Sequence, residues 1–91
     1  MASVGVSRAA IQQADRICST AIQELHIASQ KLNTRYRDAG QKWKDDKYKQ
    51  LGVIIEDCSR AIKSPIDELS DCITKLRQLD KTIQEYENTN L

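Results

Sequence analysis

The sequence predicts an all-α fold in which two long helices form an antiparallel hairpin. Apolar or small residues recur at alternating spacings of three and four in both halves of the chain, and this spacing places each set along one side of a helix. In the first half they are Val4, Ser7, Ile11, Ala14, Cys18, Ala21, Leu25, Ala28 and Leu32. In the second half they are Tyr48, Leu51, Ile55, Cys58, Ile62, Pro65, Leu69, Cys72, Leu76, Leu79, Ile83 and Tyr86. A short segment containing the only Trp separates the two stripes, so the chain is expected to reverse direction there.

The first helix is expected over about residues 5–38. Ser3 or Ser7 can serve as its N-cap, because a serine hydroxyl accepts a hydrogen bond from the free N–H groups of the first turn. Gly40 follows the helix at the position where the chain commonly takes a positive φ, which is easy for glycine. These signals indicate a helix that ends just before Gly40.

The second helix is expected over about residues 45–87. The carboxylates of Asp45 and Asp46 suit the positive end of a helix dipole, so the turn is placed within residues 38–46. The last residues, 88–91, carry no apolar pattern and are expected to be frayed.

Pro65 lies inside the second stripe and conflicts locally with a long helix. Proline lacks an N–H and its ring clashes with the preceding turn, which costs about 3 kcal/mol in a helix interior. Ser64 and Pro65 would also suit the N-cap and first residue of a new helix. Because the stripe keeps its phase across Pro65, a continuous second helix with a kink near Pro65 is favoured over two separate helices.

The apolar surface of both predicted helices is wider than a two-helix hairpin can cover. Two facing helices bury one narrow stripe each, and a single domain of 91 residues, 1–91, is marginally stable by itself. Wider apolar surfaces are typical of helices in a bundle. The interface candidates are Ile17, Ile22, Ile54, Ile66 and Ile73, and Ala61, Ile27 and Val53 widen the same surface. We therefore expect a helical bundle with a second copy or with a different protein.

Few residues of the chain could carry out catalysis. It has one His, no glycine-rich loop and no nucleophile beside a base, so the sequence predicts no enzyme, no cofactor and no metal site. The three Cys lack CxxC spacing, and Cys58 and Cys72 are about 21 Å apart along a helix, beyond the ~7 Å of a disulfide. We expect buried free thiols that act as small apolar residues. If the chain turns near residues 41–42, each Cys should face one residue of the other helix. Cys18 should face Pro65, Cys58 should face Leu25, and Cys72 should face Ile11.

The charge of the chain is balanced overall but uneven along the sequence. The net charge is +1, no apolar run approaches the ~18 residues of a membrane span, and the first residues do not form a conventional signal peptide. We therefore expect no membrane insertion. Residues 31–49 hold seven basic and three acidic residues, whereas residues 55–91 hold eight acidic and five basic ones. The predicted turn is basic, and it holds three of the four aromatic residues: Tyr36, Trp43 and Tyr48.

The residues from Gly40 to Leu51, GQKWKDDKYKQL, resemble the turn of the WXG superfamily, whose members are small helical hairpins handled by type VII secretion systems. The family pattern is a Trp, any residue, a Gly at the turn, and then an aromatic residue three positions later. Trp43 and Tyr48 match the aromatic positions, whereas Asp45 stands where Gly is usual. The resemblance implies that Trp43, Asp45 and Tyr48 form a turn recognised by a protein partner.

The resemblance also has implications for export. In the family, a Tyr followed four residues later by an acidic residue, beyond the second helix, serves as the export signal. Tyr86 lies in that region, and Asn90 stands at the acidic position. The resemblance implies a bacterial protein that is made in the cytoplasm and is secreted without a conventional signal peptide. It equally accommodates a protein that assists the export of a toxin with a WXG-like helical domain.

Two other functions fit the same residues. One is a generic antiparallel coiled-coil adaptor unrelated to secretion, in which Trp43 plugs the end of the hairpin. The other is a nucleic-acid-binding hairpin, because interleaved Lys and aromatic residues suit phosphate contact and base stacking. Asp38, Asp45 and Asp46 interrupt the basic run and count against nucleic acid as the partner.

Overall fold

The computed structural model consists of two long α-helices joined by a short connection. Helix α1 spans Val4–Ala39 and helix α2 spans Asp46–Thr89, with 36 and 44 residues. The structure describes residues 4–89 and the side chains of residues 7–89, and it contains no strand in that range. The predicted all-α hairpin is confirmed, and the predicted helix boundaries lie close to the observed ones.

The start of α1 excludes one of the two predicted N-caps. Because α1 begins at Val4, Ser7 lies within the helix and is not its N-cap. Ser3, the other predicted cap, lies outside the described residues, as does the side chain of Val4, the first member of the predicted stripe.

Helix α2 runs without interruption through Pro65. The continuous second helix is therefore confirmed, and the alternative of two helices is wrong; the kink near Pro65 stays a prediction. The helix also continues to Thr89, where fraying was expected, and the Thr89 hydroxyl donates a hydrogen bond to the Glu85 carbonyl at 2.8 Å. Residues 90–91 lie outside the described range.

Contacts divide the chain into two units. Unit 1 comprises Met1–Ile22 and Glu68–Leu91, and unit 2 comprises Gln23–Asp67. Each unit thus pairs one stretch of α1 with one stretch of α2.

In unit 2 the predicted stripes form the face between the two helices. Among the stripe positions of this unit only Ala28 is exposed. The half-buried ones are Leu25, Leu32, Tyr48, Leu51, Ile55, Cys58, Ile62 and Pro65. The spacing of the sequence therefore identifies the contact face of unit 2 correctly.

In unit 1 the covered face of α2 departs from the predicted stripe. Cys72, Leu79 and Tyr86 are exposed, and the residue after each of them is half-buried instead. A seven-residue repeat averages 3.5 residues per turn, whereas an α-helix has 3.6, so the stripe drifts about 20° per heptad around a straight helix. In the last part of α2 this drift favours the residue after every second stripe position as the covered one, while Leu69, Leu76 and Ile83 of the stripe stay half-buried. The prediction that these three side chains lie in the seam is wrong for that reason.

Two ion pairs fix the pairing of the helices in unit 1. The Arg8 Nε donates to Asp80 Oδ1 at 2.9 Å, and the Arg77 Nε donates to Asp15 Oδ2 at 2.7 Å. Residue numbers rise along α1 as they fall along α2, as expected for an antiparallel pair. The connection occupies residues 40–45, later than the predicted turn centre, so each residue of α1 faces one further along α2 than predicted. The residues predicted opposite the three Cys are displaced accordingly.

Neither unit contains a closed hydrophobic core. No side chain of residues 7–89 is fully buried. Of the five predicted interface candidates, Ile17 is 63% exposed and Ile54 is 57% exposed, while the other three are half-buried. Those three are Ile22, Ile66 and Ile73. The hairpin alone therefore covers its apolar residues only partly.

The three thiols are free, as predicted, but they are not buried. Cys18 and Cys58 are half-buried and Cys72 is exposed. The prediction of burial is wrong because it assumed that the two helices enclose the thiols. Each unit has only two helical segments, which leave part of every thiol exposed. Neither of the described helices is long and apolar enough to cross a lipid bilayer.

Candidate functional site

Where the connection begins, the last turn of α1 is narrower than an α-helical turn. The Gly40 N–H donates to the Arg37 carbonyl at 3.1 Å, and the Gln41 N–H donates to the Asp38 carbonyl at 3.2 Å. These bonds span three residues, as in a 3₁₀ turn, and satisfy carbonyls that an α-helix end leaves free. No described glycine has a positive φ, so the left-handed conformation expected at Gly40 is not present.

Asp45 is the N-cap of α2. Its Oδ1 accepts hydrogen bonds from the Lys47 N–H at 2.9 Å and the Tyr48 N–H at 3.1 Å. A carboxylate at this position satisfies N–H groups that have no partner within the helix, and it lies at the positive end of the helix dipole. Asp45 therefore has a defined structural role at the start of α2.

The carboxylate of Asp45 also interacts with the side chain of Trp43. A hydrogen bond from the Trp43 side chain, followed by the backbone bonds from Tyr48 and Lys47, lowers the pKa of Asp45 below its usual value. The indole of Trp43 also lies against Tyr48, with ring centroids 5.8 Å apart and planes tilted by 57°. Trp43 nevertheless remains 39% exposed. The structure therefore brings the three predicted turn residues together and leaves part of the indole accessible.

Behind the turn, two tyrosines join α1 to α2. The rings of Tyr36 and Tyr48 are stacked, with centroids 4.4 Å apart and planes within 9° of parallel. The Tyr48 hydroxyl donates to the Tyr36 carbonyl at 2.8 Å, and that carbonyl also accepts the Gly40 N–H at 3.1 Å. Desolvation, and then interaction with Tyr36, raises the pKa of the Tyr48 phenol. Tyr48 thus links the exposed indole of Trp43 to the body of unit 2.

Tyr48 packs against Gly40, the first residue after α1, and Tyr36 packs against Gly52 within α2. A Cβ on Gly40 would lie 2.6 Å from Tyr48 Cζ, and a Cβ on Gly52 would lie 2.9 Å from Tyr36 Cζ. Real Cβ atoms do not approach ring atoms so closely, so a side chain at either position would displace a tyrosine. We call Tyr36, Gly40, Tyr48 and Gly52 the tyrosine–glycine cluster.

The tyrosine–glycine cluster is the feature that sequence reasoning missed. Tyr36 precedes Gly40 by four residues, and Tyr48 precedes Gly52 by four residues. The same Tyr-x-x-x-Gly spacing therefore occurs on both sides of the turn. In an antiparallel pair, each tyrosine can then reach the glycine of the other copy of the motif. This repeat is the signal that could have identified Gly52 and the pairing of the tyrosines.

Tyr86, the predicted export-signal residue, lies in unit 1. Its side chain is 62% exposed and lines a shallow apolar groove with Ser7, Thr82 and Ile83. Asn90, which stands at the acidic position of the family signal, lies outside the described residues. Tyr86 is therefore available for contact.

The residues of the turn are suited to contact with another molecule rather than to catalysis. Lys42, Lys44, Lys47 and Lys49 are exposed around Trp43. Among the described residues, no three His, Cys, Asp or Glu side chains cluster in a way that could hold a metal ion. The site can thus present a fixed aromatic side chain among cations to another molecule.

The chain matches no protein-family model, and no curated protein or solved structure is significantly similar to it. The resemblance to the WXG superfamily consequently depends on Trp43, Tyr48 and the hairpin architecture alone.

Proposed function

We propose that this chain is a small non-enzymatic helical protein that completes a helical bundle with a protein partner, and that this assembly serves export by a type VII secretion system. The partner is a second copy or a cognate secreted effector. In this role the chain supplies two helices, and its turn supplies the recognition residues Trp43, Asp45 and Tyr48.

The observation that carries the proposal is the absence of fully buried side chains among residues 7–89. The accessible surface is 7165 Å². A folded monomer of this mass, 10.3 kDa, is expected to expose about 5,400 Å². The excess of about 1,800 Å² on this one chain is larger than the ~800 Å² that each partner buries in a stable protein–protein interface. A partner helix would cover the side chains that the hairpin leaves open.

The geometry of the turn supports its assignment as a recognition element. Trp43 lies against Tyr48 and its side chain interacts with the carboxylate of Asp45, so part of its conformational entropy is already lost before a partner covers it. Exposed, rigidly held Trp side chains are frequent binding hot spots. The export role follows from the resemblance of this turn to the WXG pattern.

A generic coiled-coil adaptor is the second candidate. The contact between Trp43 and Tyr48 favours this candidate. A Trp that packs on the first turn of α2 would shield the end of unit 2 from solvent. In that case Trp43 would stabilise the hairpin and no partner would recognise it.

Replacement of Trp43 separates the two candidates. The variant Trp43→Ala is tested for helicity and thermal unfolding, and the tagged chain is used to isolate its partner from the producing cells. Retained helicity with loss of partner binding or export supports the secretion role. Global unfolding, or an unchanged partner profile, supports the adaptor.

The variant Tyr86→Ala is the matched control for the turn. It removes an exposed aromatic side chain from unit 1 and leaves the turn intact. We expect it to retain bundle formation with the partner. Its effect on export reports separately on the predicted signal region.

A further inference from the structure

One face of unit 2 carries an open apolar groove between α1 and α2. Its volume is about 530 Å³. Ala28, Leu32, Tyr36, Leu51 and Ile55 form its apolar lining, and Lys31 and Arg35 form its edge on α1. We call these seven residues the basic groove.

Both helices present the groove residues at helical spacing. Lys31, Leu32 and Arg35 follow Ala28 by three, four and seven residues on α1. Leu51 and Ile55 are four apart on α2, so their side chains lie on the same side of that helix. The two segments together form the kind of floor into which a third amphipathic helix packs.

The charge of the groove edge specifies which helix fits. Lys31 and Arg35 are exposed, and among the described residues neither forms an ion pair. A helix that carries carboxylates along the edge facing α1 would neutralise both cations as its apolar face covers the groove.

The second groove of unit 2 does not fit the same ligand. Tyr36 and Ile55 line it as well, but its other residues include Asn33, Lys49 and Glu56. Its lining carries charges of both signs, from Lys49 and Glu56, so it has no single sign of charge to match an acidic helix. The two faces of unit 2 are thus chemically distinct.

We propose that the basic groove binds an acidic amphipathic helix of a different protein. The proposal rests on the proposed function, because it names the chemistry of the helix that completes the bundle. The apolar face of that helix would lie on Leu32, Leu51 and Ile55, and its acidic edge would face Lys31 and Arg35.

The test uses two labelled synthetic peptides of about 18 residues, or five helical turns. Both carry Leu on one helical face; one has Glu along the flanks and the other has Lys at the same positions. Binding to the full chain is measured by fluorescence anisotropy. We expect the Glu peptide to bind about tenfold more tightly than the Lys peptide at low salt, with the preference falling as salt rises.

Charge reversal at the groove edge locates the binding site. The double variant Lys31→Glu/Arg35→Glu should lose the preference for the Glu peptide, and circular dichroism should show unchanged helicity because both side chains are exposed. The matched control Lys75→Glu/Lys81→Glu makes the same charge change in unit 1 and should keep the preference.

Three results of the peptide-binding and self-association measurements would overturn the groove assignment. They are equal binding or no binding of the two peptides, a preference that survives Lys31→Glu/Arg35→Glu, and self-association of the wild-type chain that this variant abolishes. The last result would make a second copy the occupant. If a native partner stays bound to the double variant, the groove assignment fails while the proposed function stands.

Discussion

The two units hold the same pair of helices together by different means. Unit 2 relies on uncharged contacts, in which stacked tyrosines 4.4 Å apart pack against glycines. Unit 1 adds ion pairs to half-buried apolar residues such as Ile11 and Leu76, and the Arg8 and Asp80 pair is the more shielded, with side chains 23% and 22% exposed. Steric contacts depend little on the solvent, whereas partly exposed ion pairs weaken with salt and acid. Unit 2 should therefore be the insensitive part of the chain and unit 1 the responsive part.

The largest loss of stability is expected when a side chain is added at a glycine of the tyrosine–glycine cluster. Gly52→Val would drive Tyr36 out of its stack, and overpacking of this kind costs about 1–3 kcal/mol. For a chain of this size each kcal/mol lowers the melting temperature by roughly 4–8 °C. Ala61→Val, at an exposed position of α2 in the same unit, is the control and should change stability little. Equal melting temperatures of the two variants would remove the cluster as the basis of unit 2.

Loss of the shielded ion pair should have a smaller effect that is confined to unit 1. In Arg8→Gln, Asp80 and Glu87 lose their cation, so amide hydrogen exchange should accelerate in unit 1 and stay unchanged in unit 2. High salt should produce the same pattern in the wild-type chain. Arg60→Gln, which breaks a more exposed ion pair within one helix, is the control. Faster exchange throughout unit 2 would break the proposed distinction.

Acid should destabilise the chain through carboxylates with lowered pKa values. The hydrogen bond from Arg77 lowers the pKa of Asp15, and the one from Arg8 lowers that of Asp80. A group whose pKa is lower in the folded chain stabilises the fold above its unfolded value, near 3.9, and this contribution is lost as the pH falls through the folded value. Melting temperatures measured from pH 6 downward should fall below about pH 4, and the fall should be shallower in Asp80→Asn. A flat profile would show that the ion pairs contribute nothing.

The smallest effect is expected at the N-cap. Asp45→Ala removes the acceptor for two N–H groups of α2 and the partner of Trp43, so helicity should fall slightly at its first turn and the melting temperature by a few degrees. Asp45→Ser keeps a capping oxygen and should restore most of this loss. If Ser fails to rescue, the contact with Trp43 rather than the cap is what Asp45 provides.

The sequence predicts the helices, the turn and the contact face of unit 2 because each depends on local spacing. A stripe such as Leu51, Ile55 and Cys58 needs only the helical period to be recognised. The exposure of Cys72 and Leu79 could not be predicted in this way, since it depends on how far a stripe drifts around a straight helix. The pairing of Arg8 with Asp80 depends on the exact place of the turn.

The candidate site was predictable in its members but not in its geometry. Trp43, Asp45 and Tyr48 are visible as a motif, whereas the bond from Trp43 to Asp45 requires the connection to be folded. Gly52 was missed because a glycine inside a helix has no signal of its own. Only the repeated Tyr-x-x-x-Gly spacing connects it with Tyr36.

The central claim is that the hairpin depends on a partner to cover its apolar residues. Thermal unfolding of the purified chain at micromolar concentration, with light scattering on the same sample, tests this most directly. We expect either self-association or a monomer with a broad transition at low temperature, since no side chain of residues 7–89 is fully buried. A strictly monomeric chain with a sharp transition above about 65 °C, the upper end of the common range for mesophilic domains, would contradict the claim.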